Sequence, residues 1–157
     1  MAIEIERKFL VTDDSYCEQA FQCDRIVQGY LCREKGNSVR VRIRGNIGFL
    51  TIKGPSLDGG LSRYEWEREI SLQEAEELLQ LCGDARIDKC RYLVKSGKHT
   101  WEIDKFYGHN EGLVVAEIEL ESENEAFEKP SFIGEEVTGQ ARYYNSHLTR
   151  FPYKDWK

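Results

Sequence analysis

The sequence has no long hydrophobic run and no excess of positive charge, and each absence excludes a class of partner. No apolar stretch approaches the ~20 residues that a helix needs to span a membrane. The 22 lysines and arginines are outnumbered by 28 aspartates and glutamates, for a formal net charge of −6. Because nucleic-acid-binding proteins generally carry a basic surface, we expect neither a membrane nor a nucleic acid as partner. A small anionic ligand is compatible with this charge, since local placement matters more than the sum.

Cysteine and histidine motifs are also absent. The five cysteines are odd in number and include no Cys-x-x-Cys pair, and the three histidines are scattered along the chain. This arrangement argues against a disulfide framework, a zinc site and a Ser-His-Asp triad. Since no secretory signal precedes the cysteines, we expect free thiols in a protein of the reducing cytoplasm.

Internal repeats, low-complexity tracts and linkers are absent as well, so we expect one domain over residues 1–157. Turn residues divide the chain into stretches with the alternating pattern of β-strands. Eight such stretches are present: IEIERKFL, RIVQGYLCRE, SVRVRIR, GFLTIKG, LSRYEWEREI, DARIDKCRYLV, KHTWEIDKF and GLVVAEIELE. Most are joined by short turns, which predicts an antiparallel sheet. Eight strands can close into a barrel whose lumen accommodates one small ligand.

The clearest helix signal covers SLQEAEELLQLC. Ser71 and Glu74 have the spacing of a capping box, the apolar residues form one stripe, and Gly83 ends the pattern. Weaker signals predict one or two helical turns after Thr12 or Asp13, a short helix from Ser122 to before Pro130, and a third helix over 140–148 capped by Thr138.

Charged residues of one sign repeat at every second position in nearly every strand, so each row points to one face. The acidic rows are Glu4/Glu6, Glu65/Glu67/Glu69, Glu102/Asp104 and Glu117/Glu119/Glu121. The basic rows are Arg40/Arg42/Arg44 and Lys89/Arg91, with Lys53 alone on its strand. Like charges two residues apart are only ~7 Å from each other and are destabilising on neighbouring strands. A merely solvated face would be expected to mix the two signs.

The alternation is compatible with two orientations of these rows. With the apolar residues inside, the protein is a plain barrel with a charged exterior, the usual arrangement of half-exposed strands. With the charges inside, helices must cover the apolar exterior and ions must compensate the charges, because burying unpaired charges is costly. Facing rows of carboxylates and basic groups suit a metal-bound polyphosphate, since carboxylates bind Mg²⁺ or Mn²⁺ and arginines bind phosphate. The pattern alone does not choose between the orientations.

An ordered series of motifs resembles the triphosphate tunnel metalloenzymes, also called the CYTH superfamily. The series runs through E-x-E-x-K at 4–8, QGYL, the R-x-R of SVRVRIR, TIKG, RYEWE, the K-x-R-Y of DKCRYLV, EIDKFYG, the E-x-E of AEIEL and GEEVTGQARYYN. The resemblance implies an α+β, mainly β fold. It is a closed eight-stranded antiparallel barrel or tunnel with a charged lumen, helices packed outside and a C-terminal plug-like helix. This resemblance, rather than the periodicity, predicts that the charged rows face inward.

The resemblance also implies roles for particular residues. The implied ligands of a divalent metal ion, Mg²⁺ or Mn²⁺, are Glu4, Glu6, Glu117 and Glu119, with help from Asp104 and Glu65. The implied triphosphate-binding residues are Lys8, Arg40, Arg42, Lys53, Lys89, Arg91 and, in the plug-like segment, Arg142. The residues implied to assist the attacking water are Lys89, or Lys8 together with Tyr30.

We therefore expect a cytoplasmic, metal-dependent hydrolase of triphosphates, a monomer or homodimer, with inorganic tripolyphosphate as the favoured substrate. A class IV adenylyl cyclase and a thiamine triphosphatase are alternative activities on the same fold. The chain lacks the extended region between the first strand and the arginine strand that is associated with adenine recognition in those cyclases. A non-catalytic polyphosphate-binding module is a further alternative, which would not need the acidic rows.

Overall fold

The computed structural model describes residues 3–156, which form a mainly β structure. Its strands are β1 (Ile3–Val11), β2 (Gln22–Glu34), β3 (Asn37–Arg44), β4 (Ile47–Lys53), β5 (Ser62–Ile70), β6 (Arg86–Ser96), β7 (His99–Phe106), β8 (Val114–Leu120) and β9 (Ile133–Glu136). The α-helices in this range are α1 (Tyr16–Gln19), α2 (Leu72–Leu81) and α3 (Asn145–Leu148). Short 3₁₀ turns span Asp58–Gly60, Gly108–Asn110, Ala141–Tyr143 and Tyr153–Asp155. No helix within 3–156 has the length and apolar character needed to cross a membrane.

The first eight strands close into a barrel, as predicted. Their order is β5-β4-β3-β2-β6-β7-β8-β1, all neighbours are antiparallel, and β1 pairs back onto β5 to complete the circle. The sequence pattern does not predict the ninth strand. The pairing of β1 with β5 ends at Ile5, which leaves the outer half of this edge of β1 uncovered. There β9 pairs with β1, from Phe9 to Val11, and so covers an edge that would otherwise be free to aggregate.

The helix α2 covers the outer face of the barrel at β2, β3 and β4. It begins with the predicted capping box: the Ser71 hydroxyl accepts from the Glu74 amide, and the Glu74 carboxylate accepts from the Ser71 amide. Ala75 is fully buried, and a Cβ atom at Gly48 of β4 would lie only 2.7 Å from its methyl group. The absence of a side chain at Gly48 therefore lets the helix lie directly on the strand.

Two of the weaker helix predictions are wrong. The segment after Ser122 forms a turn instead of a helix, because the Glu125 carboxylate accepts from the Glu121 amide and contacts the His99 ring. The segment after Thr138 contains only a 3₁₀ turn and α3, separated by an extended residue, Tyr144, with φ −70° and ψ 134°. The predicted plug-like helix is therefore a broken segment. The turn near the N-terminus is present as α1, and it begins after Ser15.

The broken C-terminal segment nevertheless closes one end of the barrel. Ile87, Phe106 and Val115 each lie two residues from a charged channel position on the same strand, so they share its inward face. They form a buried apolar cluster with Tyr143 and Leu148 of the C-terminal segment. This cluster replaces the charged lining with an apolar core at that end.

Candidate active site

The charged rows converge inside the barrel, which confirms the orientation implied by the resemblance. They surround a cavity of about 200 Å³ whose lining side chains are almost all charged or polar. The predicted site residues that line it are Glu4, Glu6, Lys8, Tyr30, Arg40, Arg42, Lys53, Glu65, Lys89, Arg91, Glu117 and Glu119. The apolar partners of these rows point outward, and Trp101, for example, is fully buried beneath residues 127–132.

Carboxylates from β1 and β8 form one wall of the cavity. Glu6 lies opposite Glu119 in the strand register, and Lys8 lies opposite Glu117. Burial and the neighbouring Glu117 and Glu4 carboxylates raise the pKa of Glu6 well above its usual value. Burial disfavours the charged form of Glu117 too, but Lys8 and a hydrogen bond from Glu6 outweigh it and hold the pKa of Glu117 well below its usual range. The two neighbouring carboxyl groups are therefore shifted in opposite directions: the protonated form is favoured at Glu6 and the charged form at Glu117.

Arginines and a lysine from β3 and β4 form the opposite wall. The Arg42 guanidinium donates from Nε to Gln28 Oε1 at 2.7 Å, and burial together with Arg40 and Arg91 lowers the pKa of Arg42 to about 9. Arg40 donates to Thr51 at 3.2 Å, while its buried Nε has no hydrogen-bond partner within residues 3–156. Lys53 Nζ lies 3.0 Å from Glu4. This wall thus contains buried cationic donors, one of them unsatisfied, where an anion can bind.

Lys89 and Arg91 are held by a carboxylate behind them. Asp104 Oδ2 accepts from Lys89 Nζ at 2.7 Å and from Arg91 Nη2 at 2.9 Å, and Oδ1 accepts from Arg91 Nε at 2.8 Å. Burial opposes the charge on Asp104, but Arg91 and Lys89 outweigh it, so its pKa lies far below the usual range. Because both oxygens are engaged, the geometry does not support the prediction that Asp104 is a metal ligand. It orients two basic residues instead.

The structure also does not bring Arg142 to the cavity. Its guanidinium carbon lies 3.9 Å from the centre of the Trp156 ring, on the outer surface of the C-terminal segment. In the 3₁₀ turn, Tyr143 points into the barrel end and Arg142 points away from it. The substrate-binding role predicted for Arg142 is therefore not supported by the geometry.

Sequence reasoning missed several polar side chains that line the cavity or contact its lining. Gln28 is fully buried and lies two residues before Tyr30, so the strand alternation could have placed both inside. Tyr144 and Asn145 line the cavity from the C-terminal segment, where no periodic signal predicts an inward direction. Arg63 of β5 lines the cavity near Glu4, at 4.0 Å.

The chemistry of the acidic wall fits a hard divalent cation such as Mg²⁺ or Mn²⁺. Oxygen ligands are available from Glu4, Glu6, Glu117 and Glu119. The raised pKa values of Glu6 and Glu119, caused by burial and by neighbouring carboxylates, show that these groups repel one another and would gain from a bound cation. Among residues 3–156, no three such side chains already form a compact ligand cluster, so metal binding would require these side chains to rotate.

Comparison with known proteins agrees with this architecture. The family model for the CYTH domain matches residues 2–151. This chain belongs to the CYTH domain family. Its similarity to family members extends over the whole barrel, including the strands that carry the charged rows.

Curated relatives and solved structures are similar over nearly the full chain. An inorganic triphosphatase of Acetivibrio thermocellus is 49% identical over 158 residues, covering 100% of this chain and 99% of the relative. An inorganic triphosphatase of Nitrosomonas europaea is 38% identical, covering 92% of this chain and 95% of the relative. The crystal structure of the inorganic triphosphatase NE1496 has a TM-score of 0.67 and 34% identity, covering 93% of this chain and 97% of that one.

Proposed function

We propose that this CYTH protein hydrolyses inorganic tripolyphosphate to pyrophosphate and phosphate, using Mg²⁺ or Mn²⁺. The observation that carries the proposal is the closed barrel with a cavity of about 200 Å³ between an acidic wall and a basic wall. The relatives named inorganic triphosphatases support the same conclusion. The cavity is lined on all sides by charged and polar groups, which suits a compact inorganic anion better than a substrate with an organic part.

The basic wall would bind the phosphates. Arg40 and Arg42 can each donate two hydrogen bonds to phosphate oxygens, Lys53 adds a point charge, and Arg91 of β6 lines the cavity beside this wall and adds its positive charge. The unpartnered Nε of Arg40 is a donor that a phosphate oxygen would satisfy. These contacts orient the chain of phosphates and neutralise the charge on the phosphoryl group that is transferred to water.

The acidic wall would hold the metal ion through Glu4, Glu6, Glu117 and Glu119, with Glu65 beside Lys53. When bound, such an ion neutralises phosphate oxygens and lowers the pKa of a coordinated water. A bound cation would favour the charged form of Glu6, against burial and the Glu117 carboxylate, which raise its pKa. Lys53 must also exchange its contact with Glu4 for a contact with the substrate.

Lys89 is the side chain that we assign to assist the attacking water. Burial, together with Arg91 and Arg42, lowers the pKa of Lys89 to about 7, although Asp104 opposes this shift. A lysine with this pKa is partly neutral near pH 7 and can accept a proton. Burial would lower the pKa of Lys8 as well, but Glu117 reverses the effect and raises it, so Lys8 stays charged and binds anions. The Tyr30 hydroxyl accepts a hydrogen bond from Gln28 Nε2 at 3.2 Å, and Tyr30 also lines the cavity.

The deciding experiment measures phosphate release from tripolyphosphate, ATP, thiamine triphosphate and pyrophosphate, each with Mg²⁺ or Mn²⁺. We expect turnover of tripolyphosphate and its loss in the variant Glu117→Gln, which keeps the side-chain volume but removes a ligand charge. Cyclic AMP and pyrophosphate as products of ATP would favour a cyclase instead. Absence of any product from all four substrates would contradict a hydrolase and leave a polyphosphate-binding module.

A further inference from the structure

The first residue of α3, Asn145, contacts the proposed catalytic lysine directly. Its side-chain Oδ1 accepts a hydrogen bond from Lys89 Nζ at 2.9 Å and from Gln28 Nε2 at 3.3 Å. Since both neighbours are donors, the amide oxygen must face them. We propose that Asn145 is a positioning residue that holds the Lys89 Nζ atom in place for hydrolysis. This inference rests on the proposed function of the cavity.

Lys89 needs such a partner because its side chain is long and flexible. It is 1% exposed, and Asp104 on β7 binds it at 2.7 Å. Asn145 approaches from the C-terminal segment, so acceptors on two separate elements fix the Nζ atom. Two N–H groups of Nζ are then used, and the remaining position, a lone pair in the neutral amine or an N–H in the ammonium, is available to a water or ligand in the cavity.

The protein holds Asn145 itself by contacts on both sides of α3. Leu148 is 1% exposed and packs in the apolar cluster with Ile87 and Phe106. Arg33 of β2 donates to the Ser146 carbonyl, and to the Thr149 hydroxyl at 2.7 Å. The position of Asn145 is therefore determined by the barrel wall as well as by the segment to which it belongs.

An amide suits this position better than a carboxylate. A neutral oxygen accepts from Lys89 without adding a negative charge beside a triphosphate. Gln28 extends the network, because its Oε1 accepts from Arg42 at 2.7 Å while its amide nitrogen faces Asn145 and Tyr30. Asn145 thus acts on Lys89 directly and on the phosphate-binding Arg42 only through Gln28.

The test is the variant Asn145→Ala, with His147→Ala as its matched control. His147 lies on the same short helix but is exposed and packs on Phe151, away from the cavity. For tripolyphosphate we expect kcat of Asn145→Ala to fall between about tenfold and about a hundredfold, the effect of one hydrogen bond to a charged group. KM should stay within about twofold, because the phosphate-binding arginines are unchanged. The control should match the wild type.

A second readout does not depend on turnover. In protein labelled with ¹⁵N-lysine, the Nζ resonance of Lys89, identified with Lys89→Arg, should shift or broaden in Asn145→Ala and not in His147→Ala. The variant Asn145→Asp keeps the acceptor and the volume. It should therefore keep a sharp Lys89 resonance, displaced toward that of the charged lysine because a second carboxylate favours the ammonium, and it should raise KM, because its charge repels the substrate. This variant answers the question even if Asn145→Ala fails to fold.

Two results would overturn the inference. One is an unchanged kcat and Lys89 resonance in a folded Asn145→Ala protein. The other is an Asn145→Asp variant that loses the Lys89 resonance despite its acceptor. If the wild type itself releases no phosphate, the proposed function fails and the inference fails with it. If the wild type is active and Asn145→Ala has the same kcat and the same Lys89 resonance, only the inference is overturned.

Discussion

The buried carboxylate of Asp104 should contribute far more to stability than a surface carboxylate with the same partners. It is 2% exposed and accepts three hydrogen bonds, at 2.7, 2.8 and 2.9 Å, from Lys89 and Arg91. The substitution Asp104→Asn keeps the shape, removes the charge and turns an NH₂ group toward these donors. Two buried basic groups then lose the carboxylate that they share.

Breaking a buried ion pair from one side costs about 3–5 kcal/mol, because the remaining charge stays away from water. The matched control is Asp88→Asn on the neighbouring strand β6. Asp88 also has a two-point contact with an arginine, Arg25, at 2.7 and 3.1 Å, but their side chains are 37% and 68% exposed. An exposed pair contributes about 1 kcal/mol or less, so the control should unfold almost like the wild type.

Urea unfolding followed by circular dichroism measures both free energies of unfolding. The pH dependence gives a further check, because the pKa of Asp104 is lower in the folded state than in the unfolded chain. Its stabilisation is then complete above about pH 4, the usual pKa of aspartate, and is lost as the pH falls below it. The difference between the wild type and Asp104→Asn should shrink on acidification. Equal costs for the two variants at pH 7 would refute the reasoning.

Three other changes test separate parts of the structure. Gly48→Val should lower the free energy of unfolding by about 1–3 kcal/mol, because its Cβ would lie 2.7 Å from Ala75; unchanged urea denaturation would contradict the packing of α2. EDTA should abolish phosphate release and Mg²⁺ or Mn²⁺ should restore it; release that persists in EDTA would exclude the proposed metal ion. Arg142→Ala should keep kcat and KM within about twofold, since Arg142 stacks on Trp156 outside the cavity; a large rise in KM would place Arg142 at the substrate after all.

The strands and the inward charges could be predicted because both depend on a period of two residues. Once the resemblance decides which face is inward, Glu4, Glu6, Arg40 and Arg42 follow from alternation alone. The helix α2 was equally accessible, since its capping box and apolar stripe are local.

The depth of a residue along the barrel axis could not be predicted, since it depends on the register between strands. Glu102 and Asp104 belong to one row, but the register pairs Asp104 directly with Arg91, which engages its oxygens behind the cavity. Asn145 lies in an irregular segment whose direction is set by the packing of Leu148 and by Arg33, contacts far apart in sequence. A segment without regular secondary structure has no repeating residue pattern from which the direction of a side chain could be predicted.

The short junction between β1 and β5 has a thermodynamic consequence. Among residues 3–156 it consists of three residue pairs and one additional hydrogen bond, from the Glu6 amide to the Leu61 carbonyl, whereas β1 and β8 share six pairs. Fluctuations that open the wall should therefore start there, and amide hydrogen exchange should be fastest along it. Glu4 of β1 and Arg63 of β5 face each other across this junction. An ion bound both by Glu4 and by the opposite wall of the cavity would therefore stabilise the closed barrel. Ligand affinity and the integrity of the wall are thus coupled through one pair of neighbouring strands.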